Sequence, residues 1–531
     1  MSLFFLLYIF IFFYYFEYKL DFYRVFYFWQ YLGYEHIKDN TFTNIFISWF
    51  HPIFVNLLFG IVSAISDNYE IQNNFFLIFN LISLYISILF FYKILVFFYG
   101  KTKKSLIICI IFFLNPAYIL YAFHSYDTIY YISFTIIFFY YFYKLYFIKF
   151  SQILLFKLSL CCIILFFIRH SYELIWVILI FFSLIKKYNY RKIIPIMVIP
   201  LLVISSMIIK NLFIYNQYNY GTPFEILNQN LSFLSSKNKI ESSQIQKLIF
   251  KNETEKRIFL DKYPHLKDLK SFENNNNKET YLNIRNIKII YPIQNEIIKE
   301  KEKCFIKDKY LINLQISDDI KWKEYLNKLG KLNFSDKEKI KLQNSLKSDT
   351  KKNIQNSLTC NINMNWYGNK LVNDLRKSEI NQIFIDYPLI PIFIFQQNFI
   401  DSLNSSIDYF MIFPNRMRSF EFTNLFEKLF YPNLNNIFDF QSSNYFLDKL
   451  SKISLSKLML ILFLIFLLFK NIKYILSKPN FLNVMSYTIF FSLLTIFFGS
   501  GEYERYFFMN EPIIFLFILT LMKFKDLNQK I

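Results

Sequence analysis

Uncharged apolar runs of helical length, separated by short polar breaks, fill residues 1–210, and the same pattern returns after 454. The runs fall at 2–16, 74–98, 105–123, 128–147, 152–168, 172–185 and 193–209, then at 455–470, 481–498 and 510–523. Roughly 20 apolar residues carry an α-helix across bilayer hydrocarbon, so each run predicts a membrane helix. Between 211 and 454 the text changes to Asn, Lys, Ser, Glu and Gln with only short apolar patches, which predicts a soluble insert of domain size. The expected fold class is an all-α polytopic membrane protein with about 10 transmembrane helices and a mainly helical extracytoplasmic insert. Its expected parts are an N-terminal transmembrane module over 1–210, the insert over 211–454 and C-terminal transmembrane helices over 455–531.

Lys and Arg concentrate in cytoplasmic loops. "GKTKK" at 100–104, "YKLYFIK" at 143–149, "KKYNYRK" at 186–192, "KNIKYILSK" at 470–478 and the tail "KFKDLNQK" fall on alternate loops and are expected in the cytoplasm, as are both termini. The other face then carries "HSYD" at 124–127, "RHSYE" at 169–173, "GSGEYERY" at 499–506 and the insert. This alternation holds only if "SWFHPIFVNLLFG" at 48–60 does not cross the bilayer. With 13 residues between Pro52 and Ser66 it is short for a span. It is expected at the outer interface, inside an outer first loop over 17–73 that holds one or two amphipathic helices, with Trp29 and Trp49 at headgroup depth.

Composition changes this picture little. The chain is 54% hydrophobic and 22% aromatic, and its wealth of Phe, Tyr, Ile, Asn and Lys beside 8 Gly and 13 Pro is what A/T-rich codons produce unaided. Aromatic richness therefore identifies no ligand. The net charge of +20 follows from Lys at helix ends, and no nucleic-acid module stands behind it. "SLFFLLYIFIFFYYF" lacks a basic leader and a small-residue cleavage site, so it reads as a retained helix rather than a signal peptide. Cys109, Cys161 and Cys162 lie in apolar runs as packing residues, whereas Cys304 and Cys360 could form a disulfide if the insert faces an oxidising compartment. Within the insert, "KIESSQIQKLIFKNETEKRIFLDKY" and "KEKIKLQNSLKSD" read as helices and "ENNNNKE" as a loop. "NKLVNDLRKSEINQIFIDYPLIPIFIF" has apolar positions at helical spacing before Pro388, as expected of a helix packed on the membrane portion.

Ionisable side chains near membrane depth are costly unless paired or solvated. Glu17 and Asp21 close the first run, Asp127 ends "HSYD", Arg169 and His170 close the fifth helix of the count, and Glu502, Glu504 and Arg505 precede the last. All fall on the outer face, whereas the helix centres are almost free of charge. Carboxylates and imidazoles beside guanidinium groups suit transfer of a group from an anionic lipid. A carboxylate can take the proton of an acceptor hydroxyl, and Arg can hold a phosphate leaving group through bidentate hydrogen bonds. No His, Cys or acidic residues cluster with metal-ligand spacing, and no cofactor is expected.

With these features the chain resembles membrane glycosyltransferases of the GT-C fold, the group that includes protein mannosyltransferases and bacterial polyprenyl-phosphate-sugar transferases. The resemblance rests on Asp21 after the first helix, and on "WFHPIFVNLLFG", where Ile53 and Phe54 stand in place of the Pro-Leu of a His-Pro-Pro-Leu stretch. It rests further on "LNPAYILYAFHSYDTIYY" and "GEYERYFFMNEPIIFLF". It implies Asp21 as base or acceptor-orienting residue, Glu17 as its substitute and Asp127 as its partner. Arg505 and Arg169 would hold the donor phosphate, and His51, His124, His170 and Glu502 would line the substrate site. The implied partners are membrane lipid, a polyprenyl-phosphate-linked sugar donor and a glycan, lipid or protein acceptor, at a bacterial inner membrane. Two other functions stay open: a transporter or flippase for lipid-linked saccharides, whose usual mark is repeats with broken helices, and a glycan polymerase or ligase.

Overall fold

The computed structural model describes residues 2–11, 53–66, 68–100, 103–123, 127–169, 174–215, 231, 246, 249–262, 377, 380–406, 425, 427–440, 445–476, 481–497 and 503–529. Among these residues every regular element is a helix. In chain order they are α1 (Ser2–Phe10), α2 (Ile53–Ile65), α3 (Tyr69–Tyr99), α4 (Lys103–Phe113), α5 (Pro116–Ala122), α6 (Thr128–Tyr143), α7 (Gln152–Ile168), α8 (Leu174–Ile185) and α9 (Tyr190–Tyr215). Then follow α10 (Glu253–Lys262), α11 (Ile380–Asp386), α12 (Leu389–Ser402), α13 (Leu434–Phe438), α14 (Tyr445–Lys452), α15 (Leu455–Leu476), α16 (Phe481–Phe497) and α17 (Tyr503–Gln529).

Five of the helices are long and apolar enough to cross a membrane, or up to seven if each of two bent pairs is one span. Outward-facing apolar side chains such as Leu202, Phe213, Phe466 and Phe469 suit a lipid surround, and the architecture is that of a multi-pass membrane protein. Each of the ten predicted runs overlaps a helix or a bent pair, but α7, α8 and α16 are short for a span, and of the first run only residues 2–11 are described.

The bends have local causes. Asn115 precedes Pro116, and a residue before Pro is pushed out of the helical region. Asn115 takes φ −57°, ψ 116°, its side chain accepts from the Ala117 N–H, and α4 and α5 meet at 61°. At Pro388 the α11–α12 pair turns by 106°, which lays α12, after the proline, against α16 and α17, whereas the expected amphipathic helix before Pro388 turns its apolar side into a second core. A small second core joins α10 to this pair through Phe250, Phe259, Ile380, Ile383, Ile390 and Ile394. Lys262 closes it with an ion pair to Asp386 at 2.8 Å.

The main core runs along α17, where 78% of the apolar window is buried, against 22% in α9. Around α17 stand α6, α15, α16 and α12. Side-chain hydrogen bonds between helices of the bundle replace the water their polar groups have left: Tyr131 to Ser492 at 2.6 Å, Trp176 to Thr488 at 2.9 Å, Ser87 to Ser133 at 2.5 Å and Asn80 to the Ala122 carbonyl at 2.9 Å. Such bonds hold transmembrane helices together where no hydrophobic force between them remains.

The 53–65 stretch is a helix of 13 residues, about 20 Å long at 1.5 Å per residue, which is short of the hydrocarbon thickness. It is tucked against α3, α6 and α7. Phe54 sits edge-on to Tyr130 and Phe134, and Val55, Asn56, Phe59 and Val62 are buried. Ser66 ends the helix, and its carbonyl accepts from Gln72 in the first turn of α3, so the chain turns back at that level.

Candidate functional site

Antiparallel packing gathers helix ends at two levels. At one, the start of α6, the end of α7 and the start of α17 bring Asp127, Arg169 and Arg505 together. Asp127 immediately precedes the first residue of α6, Arg169 leaves α7 in an extended conformation, and Arg505 lies in the first turn of α17. The Arg169 Nε is 3.4 Å from Asp127 Oδ2, and the Arg505 Nη1 is 3.9 Å from Asp127 Oδ1. Arg505 and Asp127 are buried, and Arg169 is mostly so.

Aromatic faces fix the guanidinium of Arg169: its carbon lies 5.4 Å from the Tyr131 ring and 4.7 Å from the Tyr506 ring. Arg505 sits 5.4 Å from the same Tyr506 ring. Arg is suited to this setting because a delocalised, weakly hydrated plane can stack and hydrogen-bond at once. Among the described residues, Asp127 Oδ1, Thr128 Oγ1 and the Tyr130 hydroxyl are buried without a hydrogen-bond partner. Asp127 thus faces two guanidiniums, one on each side-chain oxygen.

Of the nine residues to which the resemblance gives a site role, the structure brings these three together. Glu17, Asp21, His51, His124, His170 and Glu502 lie outside the described residues, as do Cys304 and Cys360.

A second buried polar network was not among the sequence candidates. Glu511 of α17 lies beside Tyr431, whose hydroxyl is 3.4 and 3.5 Å from the two carboxylate oxygens. Asn115, at the α4–α5 bend, donates to that hydroxyl at 2.6 Å, and the Asn115 carbonyl accepts from Tyr8 of α1 at 3.0 Å. Burial, and after it the Glu511 charge, pushes the Tyr431 hydroxyl well above its ordinary range, so it stays a donor. Lys457 of α15 lies over the Tyr431 and Phe507 rings, and its ammonium donates to the Ser402 and Asn404 carbonyls at 3.0 and 2.6 Å, capping the end of α12. The available signal was an acidic residue before Pro512 inside an apolar run. With the last span counted from 510, Glu511 was an end residue, whereas α17 starts at Tyr503 and buries it two turns inside.

No family model, curated protein or solved structure matches the chain.

Proposed function

We propose that this chain is an integral-membrane glycosyltransferase that takes a sugar from a polyprenyl-phosphate-linked donor at the Asp127–Arg169–Arg505 cluster and passes it to an acceptor on the extracytoplasmic face. The observation that carries the reading is the way Arg169 is held. It meets Asp127 through Nε, and two tyrosine rings fix its plane, so its terminal nitrogens are presented to a further acceptor. A phosphate oxygen pair matches that fork.

In the reaction the acceptor oxygen bonds to the anomeric carbon as the bond from that carbon to the donor phosphate oxygen breaks, and the phosphate leaves with the electron pair. Arg169 and Arg505 stabilise the charge that builds on the leaving phosphate. Asp127 would lose two ion pairs on taking a proton, so it positions the guanidiniums, and the acceptor proton goes to Asp21 or Glu17. The proposal includes about 10 spans with the shorter helices α7, α8 and α16 crossing as well. It also places the 211–454 insert outside, both termini in the cytoplasm, and the protein in a bacterial inner membrane.

Glu511 favours a second reading. A buried carboxylate well inside a membrane helix, beside a bent helix pair, is a feature of carriers for polar headgroups, and a transporter for lipid-linked saccharides would use it. One assay separates the two. Purified protein in lipid is given radiolabelled polyprenyl-phosphate sugars, and both release of polyprenyl phosphate and movement of intact donor across the bilayer are followed. Release by wild type, lowered at least tenfold in Arg169→Lys, supports the transferase. Movement of intact donor without release supports the carrier instead.

A further inference from the structure

The bundle's other end carries a cavity of about 410 Å³ between the end of α3 and the end of α6, far from the Asp127 cluster. Lys93 and Lys144 line it together with Tyr92, Phe97, Tyr140 and Ile148. Both ammonium groups approach one ring: Lys93 Nζ lies 5.9 Å from the centre of Tyr140 and Lys144 Nζ lies 4.8 Å from it. Lys93 also lies 4.6 Å from Phe90, which meets Tyr140 edge-on. No acidic residue occurs between 71 and 99 of α3 or between 128 and 148, and among the described residues neither lysine forms an ion pair. The cavity therefore presents two cations over an otherwise aromatic and aliphatic wall.

The backbone at this place is unusual too. After Tyr143 the helix widens into a π-helical turn over Lys144–Ile148, closed by the Lys149 N–H on the Lys144 carbonyl at 3.1 Å. Such turns are rare and concentrate at functional sites. Side chains from the α8–α9 connection meet its carbonyls, Tyr188 bonding to that of Leu145 and Lys187 to that of Tyr146. The π-turn is thus held from behind, and it sets Lys144 at the cavity. Lys93 lies six residues, about 9 Å, inside the end of α3, at the depth of a lipid phosphate and its first ester groups rather than in the loop beyond.

We propose that this cavity is a binding site for an anionic phospholipid, with the phosphate between Lys93 and Lys144 and the acyl chains along Phe97 and Ile148. Charge complementarity selects the occupant: a zwitterionic lipid brings its own cation to a place that already holds two. This end is also the one whose basic loops the charge pattern assigns to the cytoplasmic side, where anionic headgroups concentrate. The inference stands whether the chain transfers sugars or carries them.

Native mass spectrometry of the full-length protein in detergent, titrated with phosphatidylglycerol or with phosphatidylcholine of the same chains, tests it. The expected result is phosphatidylglycerol binding at least tenfold tighter than phosphatidylcholine, falling to the phosphatidylcholine level in Lys93→Gln/Lys144→Gln and returning in Lys93→Arg/Lys144→Arg. Gel filtration of each variant, and binding by the Arg pair, exclude misfolding as the cause of a loss. Equal affinity for the two lipids, selectivity that survives the Gln pair, or displacement of the lipid by millimolar inorganic phosphate would each overturn the proposal, the last by moving the site to a soluble anion.

Discussion

Arg505 and Lys93 both belong to long apolar helices, yet Arg505 is completely buried against Asp127, whereas Lys93 is exposed above the rings of Phe90 and Tyr140. The Arg end of the bundle places two guanidiniums on one carboxylate between stacked tyrosines. The Lys end sets its ammoniums, exposed in Lys93 and half-buried in Lys144 and Lys187, over aromatic faces, and among the described residues none of the three pairs with a carboxylate. An ammonium is a compact, strongly hydrated charge on a flexible stem and reaches outward for water or headgroups, whereas a guanidinium can be desolvated if a partner and a ring are supplied. The difference teaches that the Arg end is built against a large desolvation cost, which a protein keeps where geometry matters, while the Lys end is tolerant and suited to adaptable contacts.

The largest effect should follow removal of one partner from the buried cluster. Arg505→Ala removes one of the two guanidiniums on Asp127 and opens a hole in the first turn of α17, and Asp127→Asn takes from two buried guanidiniums the carboxylate they share. Breaking a buried ion pair costs about 3–5 kcal/mol, so both variants should unfold at clearly lower temperature or denaturant in a fixed detergent. Unchanged melting in both would mean that the three residues do not form a buried cluster in the protein.

Much of this was legible before any coordinates. The apolar runs locate the membrane helices, because a span must satisfy its own backbone and therefore reads as an uninterrupted apolar helix. Asp127, Arg169 and Arg505 stood out as ionisable groups at apolar helix ends, but their convergence was not readable, since it depends on which three of many helix ends pack together. Glu511 was missed because a start at 510 for the last span made it an end residue. Tyr431 and Asn115 carried no signal at all, being one aromatic among 41 tyrosines and an Asn before Pro. The 53–65 stretch reads as short for a span, but its length could not say that Phe54 would pack on Tyr130 and Phe134 of α6.

A smaller loss is expected from the second network. Tyr431→Phe removes the hydroxyl that stands between Asn115 and Glu511, leaving a buried amide donor and a buried carboxylate each short of a partner. An unmet buried polar group costs about 1–3 kcal/mol, and the same cost in Asn115→Ala and in the double variant would place the two residues in one network. Strictly additive losses in a double-mutant cycle would show that they act apart.

Lys187→Met should cost less again. Lys187 donates to the Tyr146 carbonyl beside the π-turn and lies 4.5 Å from the Tyr146 ring, but water reaches this end and can replace it. A net hydrogen bond is worth about 0.5–1.5 kcal/mol, and amide hydrogen exchange, followed by mass spectrometry, should rise over 144–149 more than over the first turns of α6. A rise spread evenly along α6 would instead make Lys187 a support of the whole helix.

The smallest effect on stability should come from Lys93→Gln/Lys144→Gln. Among the described residues neither lysine has an ion pair, so removing both charges breaks none there and relieves the repulsion of two cations near one ring. Substitutions at exposed positions away from packed features generally stay within about 0.5 kcal/mol. The melting point in detergent free of added phospholipid should therefore be unchanged or slightly raised, whereas in phosphatidylglycerol the wild type should be the more stable of the two. A large drop in plain detergent would mean that the lysines are structural members of the α3–α6 contact, and the contrast between a rigid Arg end and a tolerant Lys end would then fail at the place where it is sharpest.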